Sequence, residues 1–130
     1  VDADVVKVFT EMKALEGTLC RNVGVSNFKI EHLEKIKHLK PVMNQIELHP
    51  YFQQKELRAY CDKNMINVMA YSPMCKEALA DHHVTMIAKE RKCTPSTVVL
   101  SWVLNTGAAV AVKSVNHMNE NLSSNFTKFF

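Results

Sequence analysis

Four short runs of apolar residues, rich in Val and Ile, alternate with longer stretches of helical spacing, and this alternation constrains the fold more than any other feature of the chain. The runs cover residues 21–25, 42–48, 67–71 and 108–113. They are mostly apolar throughout rather than alternating, as strands buried on both faces of a parallel sheet are. Helical patterns cover residues 5–16, 30–39, 54–63, 85–91 and 96–104. The first is expected to close at Gly17, the second to stop before Pro41 and the third to end at Asn64. The last has Thr94 as its N-cap, Pro95 at the first helical position and Gly107 just past its end. A short helix is expected over residues 118–123. The order is helix, then strand–helix repeated, which predicts an α/β fold with a parallel sheet and right-handed crossovers. Periodicity does not choose between a doubly wound sheet and a barrel. The 130 residues suit a single domain over residues 1–130, with no linker and no low-complexity segment.

Charge and cysteine usage exclude several classes. The net charge is +3, from 16 basic and 13 acidic residues, too small an excess for a nucleic-acid partner. The densest basic stretch, residues 32–40, carries Leu33, Ile36 and Leu39 at every third position and reads as an amphipathic helix with a solvated basic face. Cys20, Cys61, Cys75 and Cys93 form no CxxC pair, so reduced, packed thiols in a cytoplasmic protein are expected. No apolar run approaches the roughly 18 residues of a membrane span, and residues 1–4 do not read as a signal peptide. The chain lacks an initiator Met and opens inside a helical pattern, so a truncated or processed chain is expected. His82 and His83 are assigned to a solvated loop, and the seven Met to core filling. Trp102 is assigned to the inner face of its helix, beside Val98, Val99 and Leu100.

In parallel α/β folds, ligands sit at the carboxyl ends of the strands. Ser26 and Asn27 follow the first run. Asn44, Gln45, Glu47 and His49 lie along and after the second. Tyr71, Ser72 and Pro73 end the third, and Lys113 and Ser114 the fourth. Four polar strand ends together suggest one pocket. Ser, Asn and Gln offer the donor and acceptor pairs that hold a carboxamide. Tyr71 offers a flat face for a ring, and Lys113 with Ser114 a charge and a hydroxyl for phosphate. Only three glycines occur, with no GxGxxG and no P-loop, so a Rossmann-type nucleotide site is not expected.

The runs Val23-Gly24-Val25-Ser26-Asn27-Phe28, Asn44-Gln45-Ile46-Glu47-Leu48-His49-Pro50-Tyr51, Ala70-Tyr71-Ser72-Pro73, Val112-Lys113-Ser114 and Glu120-Asn121 resemble the aldo-keto reductase superfamily, in the family's order and close to its spacing. The likeness covers nearly the whole chain. It implies a partial (β/α)8 TIM barrel of about four parallel strand–helix units, the fifth to the eighth, where a full barrel needs about 250 residues. It implies an oxidoreductase that reduces aldehydes and ketones with NADPH. By the resemblance, Ser26, Asn27 and Gln45 bind the nicotinamide carboxamide and Tyr71 stacks on the ring. Ser72 contacts the pyrophosphate, Lys113 and Ser114 the adenosine-side phosphate, and Glu120 and Asn121 the adenine.

The catalytic tyrosine, lysine, aspartate and histidine of the family come from the other half of its barrel. No residue here inherits their roles, His49 and Tyr71 included, so this chain alone is expected to be inactive. Departures from the family matter as well. Val112 replaces a proline, and Met74-Cys75 stand where Leu-Gly is usual. Two residues are missing between Ser114 and Glu120. His117 stands for the arginine that grips the 2′-phosphate, which predicts a weaker, pH-dependent hold and leaves the choice between NADP and NAD open. The alternative function is a non-catalytic half-barrel, acting as a weak nucleotide-binding or protein-interaction module. Its unpaired strand edges predict self-association. Membrane and nucleic-acid partners are not expected.

Overall fold

A computed structural model describes residues 4–113. The expected helix over 118–123 lies outside the described residues, as do Ser114, His117, Glu120 and Asn121. The elements run α1 (Val5–Lys13), β1 (Val25–Ser26), α2 (Ile30–Ile36) with a 3-10 turn (Lys37–Leu39), β2 (Met43–Glu47), α3 (Lys55–Lys63), β3 (Asn67–Tyr71), α4 (Lys76–Ala80), α5 (His82–Arg91), α6 (Pro95–Asn105) and β4 (Ala109–Ala111). The four strands are parallel, in the spatial order β1-β2-β3-β4. Sequence order and spatial order therefore coincide, as repeated strand–helix units require. Val25 pairs with Asn44 and Ser26 with Gln45.

The chain forms two compact units, Val1–Ile46 with Gln54–Met69, and Glu47–Gln53 with Ala70–Phe130. The first is built on two apolar clusters. Phe9, Val23 and Ile36 pack with Val6, Cys20 and Leu39. Leu33, Cys61 and Ile66 pack with Leu57, Tyr60 and Val68. Leu33 and Ile36, the apolar stripe of the basic segment, are fully buried. Each such burial is worth about 1.5–3 kcal/mol before entropy is charged. The second unit centres on α6, whose Val99, Leu100 and Val103 are buried and which packs on α4, α5 and β4. Thr94 caps α6 by accepting from the Thr97 N–H, with Pro95 at its first position.

Several boundaries differ from expectation. Helix α1 stops at Lys13, and Gly17, at φ 82°, belongs to a following turn rather than to the cap. The Leu15 carbonyl takes N–H bonds from Thr18, Leu19 and Cys20 there, so a turn outcompetes the next helical step. Of the first apolar run only Val25 pairs as strand, together with Ser26 just past its end. His82 and His83 lie in the first turn of α5 and not in a loop, because Asp81 caps that helix by accepting from the His83 and Val84 N–H groups. The segment between, α4, went unread in the sequence because it is only five residues long. Trp102 is only half-buried, although its neighbours Val98, Val99 and Leu100 are in the core. Strand β2 alternates instead of burying both faces: Asn44 and Ile46 are buried, whereas Met43, Gln45 and Glu47 are half-buried. Such alternation is what a strand with one face packed and the other partly open to solvent shows.

Candidate functional site

The first unit gathers three of the expected residues around one carbonyl. The Gln45 backbone oxygen accepts the Ser26 hydroxyl at 3.0 Å and the Asn27 N–H at 2.8 Å. Asn27 sits at φ 58°, where a residue other than glycine is strained, and is exposed. That bend turns the chain out of β1 and leaves both side chains at the strand's carboxyl end. Asn44, fully buried, fixes the bend. Its Nδ2 donates to the Phe28 carbonyl at 2.8 Å, and its Oδ1 accepts from the Phe28 N–H at 3.3 Å. The Gln45 side chain donates from Nε2 to the Met69 thioether at 3.1 Å. Met69 was assigned with the other methionines to core filling; its sulfur instead accepts from Gln45.

The second unit holds the remaining described candidates. Tyr71, half-buried, ends β3, and Ser72 follows at φ 49°, exposed. With Pro73 and Met74 they form one wall of a recess of about 450 Å³; Ala111, Val112 and Lys113 form the other. An aromatic face, a hydroxyl and an exposed ammonium thus line one hollow. This arrangement suits a planar ring and an anion. His49 is buried, its Nε2 3.4 Å from Glu47, and its Nδ1 has no partner. Nothing in the geometry gives it a reacting group to act on.

In the same unit, the Tyr51 hydroxyl donates to Asp81 Oδ2 at 2.5 Å, while Asp81 Oδ1 caps α5. The bond to Tyr51, reinforced by the cap N–H groups, holds the Asp81 carboxyl below its ordinary range. The same bond raises the Tyr51 phenol. This carboxylate therefore ties the loop after β2 to the start of α5. Burial pushes the Cys61 thiol up, so it stays protonated and inert. All four cysteines are free, and no group of three metal-ligand side chains occurs among the described residues. None of their helices is long and apolar enough to cross a membrane. A broader hollow of about 820 Å³ lies at the starts of α2 and α3, lined by Lys29, Glu31, Lys55 and Glu56 among others. Its charges cancel, and it holds none of the residues that converge at the strand ends.

The profile of the Aldo/keto reductase family matches residues 2–129. The chain belongs to that family. It is 40% identical over 99 residues to glyoxal reductase of Bacillus subtilis, covering 73% of this chain and 36% of the relative. It is 39% identical over 130 residues to an aldo-keto reductase of Mycolicibacterium smegmatis, covering 97% of this chain and 46% of the relative. The crystal structure of Gox0644 in its apo form superposes with a TM-score of 0.85 at 38% identity, over 93% of this chain and 46% of that one. A variant of Gox0644 has been solved in complex with NADPH and superposes with a TM-score of 0.81. The family chain seen here thus spans between about a third and a half of the length of these relatives, and its architecture is a partial barrel of that fold.

Proposed function

We propose that this aldo-keto reductase chain supplies the NADP(H)-holding part of a reductase of aldehydes and ketones. The carrying observation is the convergence of Ser26, Asn27 and Gln45 on one backbone carbonyl, at the end of the strand where the fold binds ligands. Those three side chains offer acceptors and donors that match a carboxamide. Tyr71 presents a ring face, Ser72 a hydroxyl, and Lys113 a mobile positive charge beside the hollow. Taken unit by unit, the first group matches the carboxamide of a nicotinamide dinucleotide and the second its ring and phosphates. Ser114, Glu120 and Asn121 complete the expected contacts on the adenosine side, and His117 the weak hold on the 2′-phosphate. When bound, NADPH supplies the hydride that reduces a carbonyl carbon. This chain's share is to orient the nicotinamide and exclude water from its face.

By the family resemblance the proton donor comes from the other half of the barrel, and this reading gives no residue of 1–130 that role. The coenzyme choice, a cytoplasmic location and a single partial-barrel domain belong to the same reading. The second reading is a non-catalytic half-barrel that binds nucleotide weakly or docks another protein. The exposed apolar residues Val8, Met12, Leu15 and Leu19 favour it.

The test is a fluorescence titration of the purified chain with NADPH and NADH, beside a Tyr71→Ala, Lys113→Ala double variant. Weak binding that the variant loses is expected, with no NADPH oxidation when an aldehyde is added. Aldehyde-dependent oxidation above a no-protein control would overturn the assignment of the proton donor. Binding unchanged in the variant would overturn the site.

A further inference from the structure

We propose that Met69 is a positioning residue that sets the hydrogen-bond polarity of Gln45, and so makes the site select a primary carboxamide over a carbonyl group of the same shape. The inference rests on the dinucleotide reading above. A glutamine amide can face a ligand with its oxygen or its nitrogen, and the two ends differ little in size. What lies behind the side chain decides which. Here the neighbour is a thioether, which accepts and cannot donate. The Gln45 Nε2 lies 3.1 Å from the Met69 sulfur. The opposite orientation would set Oε1 against sulfur, two acceptors with no hydrogen between them.

The polarity of the site follows. Gln45 spends one N–H on Met69 and keeps Oε1, with its second N–H, open to a ligand. The backbone of Gln45 cannot swing to compensate, because Ser26 and Asn27 both bond to its carbonyl and Gln45 pairs with Ser26 across the sheet. Only the side-chain torsions remain, and Met69 holds those. A ligand that donates an N–H satisfies Oε1. A methyl ketone in the same place leaves it unpaired, and an unmade hydrogen bond in a partly buried site costs about tenfold in affinity. A leucine at position 69 would fill nearly the same volume with no acceptor. The amide would then turn freely, and Oε1 would no longer be held toward the ligand. Selectivity should fall while overall affinity changes little.

The test compares binding of NADPH with its 3-acetylpyridine analogue, in which a methyl ketone replaces the carboxamide, to the wild-type chain and to Met69→Leu. The wild-type chain should prefer the carboxamide by about tenfold, and Met69→Leu by about twofold or less. A second readout needs no nucleotide. In the ligand-free protein, one side-chain amide proton of Gln45 should exchange slowly in nuclear magnetic resonance spectra, and Met69→Leu should lose that protection while the rest of the spectrum persists. Equal wild-type affinity for the two dinucleotides overturns the proposal, whether or not the variant folds. So does an unchanged amide signal in Met69→Leu. Failure of either dinucleotide to bind overturns the functional reading itself and this inference with it, even where the amide proton is protected.

Discussion

At the residue scale, positive φ falls on two of the candidate site residues and also on residues outside the proposed site. Asn27, Ser72 and Met65 all hold positive φ, at 58°, 49° and 58°. Asn27 and Ser72 stand at strand ends and were singled out from the sequence for the cofactor. There the left-handed bend ends the run of the strand at a polar residue, and on the proposed reading the strain is part of the site. Met65 has no such role. It lies between α3 and β3 and is 90% exposed. A left-handed conformation costs a residue with a Cβ roughly 1–2 kcal/mol, of which glycine returns part through its larger unfolded-state entropy. Met65→Gly should therefore raise stability by about 1 kcal/mol and leave nucleotide binding unchanged. Urea denaturation would check it, and a lowered midpoint would show that the exposed methionine packs usefully. Gln45 was legible from its motif as the candidate for the carboxamide. The thioether behind it was not, since no local pattern says which side chain lies across a sheet.

At the element scale, polar punctuation was readable where it is local. Thr94, Pro95 and Gly107 framed α6 correctly, because a cap bonds to its own helix three residues away. Helix α5 was placed three residues late, since Asp81 caps it from just behind the short α4. Gly24 shows the other limit. Its place in the Val23-Gly24-Val25-Ser26-Asn27 run reads as part of a ligand motif, but a Cβ there would meet the Met43 carbonyl oxygen at 2.8 Å. The glycine serves the close approach of the chain before β1 to β2, and the ligand needs it only indirectly. Gly24→Ala should force the pair apart, costing about 1–3 kcal/mol, and should weaken dinucleotide binding through the displaced Ser26 and Asn27. Thermal unfolding together with a titration reads both effects. An unaltered melting temperature would mean that the backbone at Met43 gives way freely.

At the scale of the whole molecule, β1 and β4 each have one strand neighbour among the described residues, and each offers an unpaired edge. Val8, Met12, Leu15 and Leu19 add exposed apolar surface in the first unit, Leu19 at 82%. A chain with open edges and uncovered apolar side chains should self-associate. Analytical ultracentrifugation of the purified chain should therefore find species heavier than the 14.8 kDa monomer, in proportions that rise with concentration. A single sharp 14.8 kDa species across the concentration range would refute this. The sequence by itself determined the class of fold, the order of its elements, the family and the polar strand ends. Those are written in local periodicity, caps and contiguous motifs, which survive without knowledge of what packs where. Tertiary structure alone decided that Asn44 braces the bend after β1, that Gly24 makes room for Met43, that Asp81 links Tyr51 to α5, and that Met69 backs Gln45. Each joins residues 16 to 30 positions apart, and such contacts are fixed by sheet register and burial, which no short stretch of sequence contains.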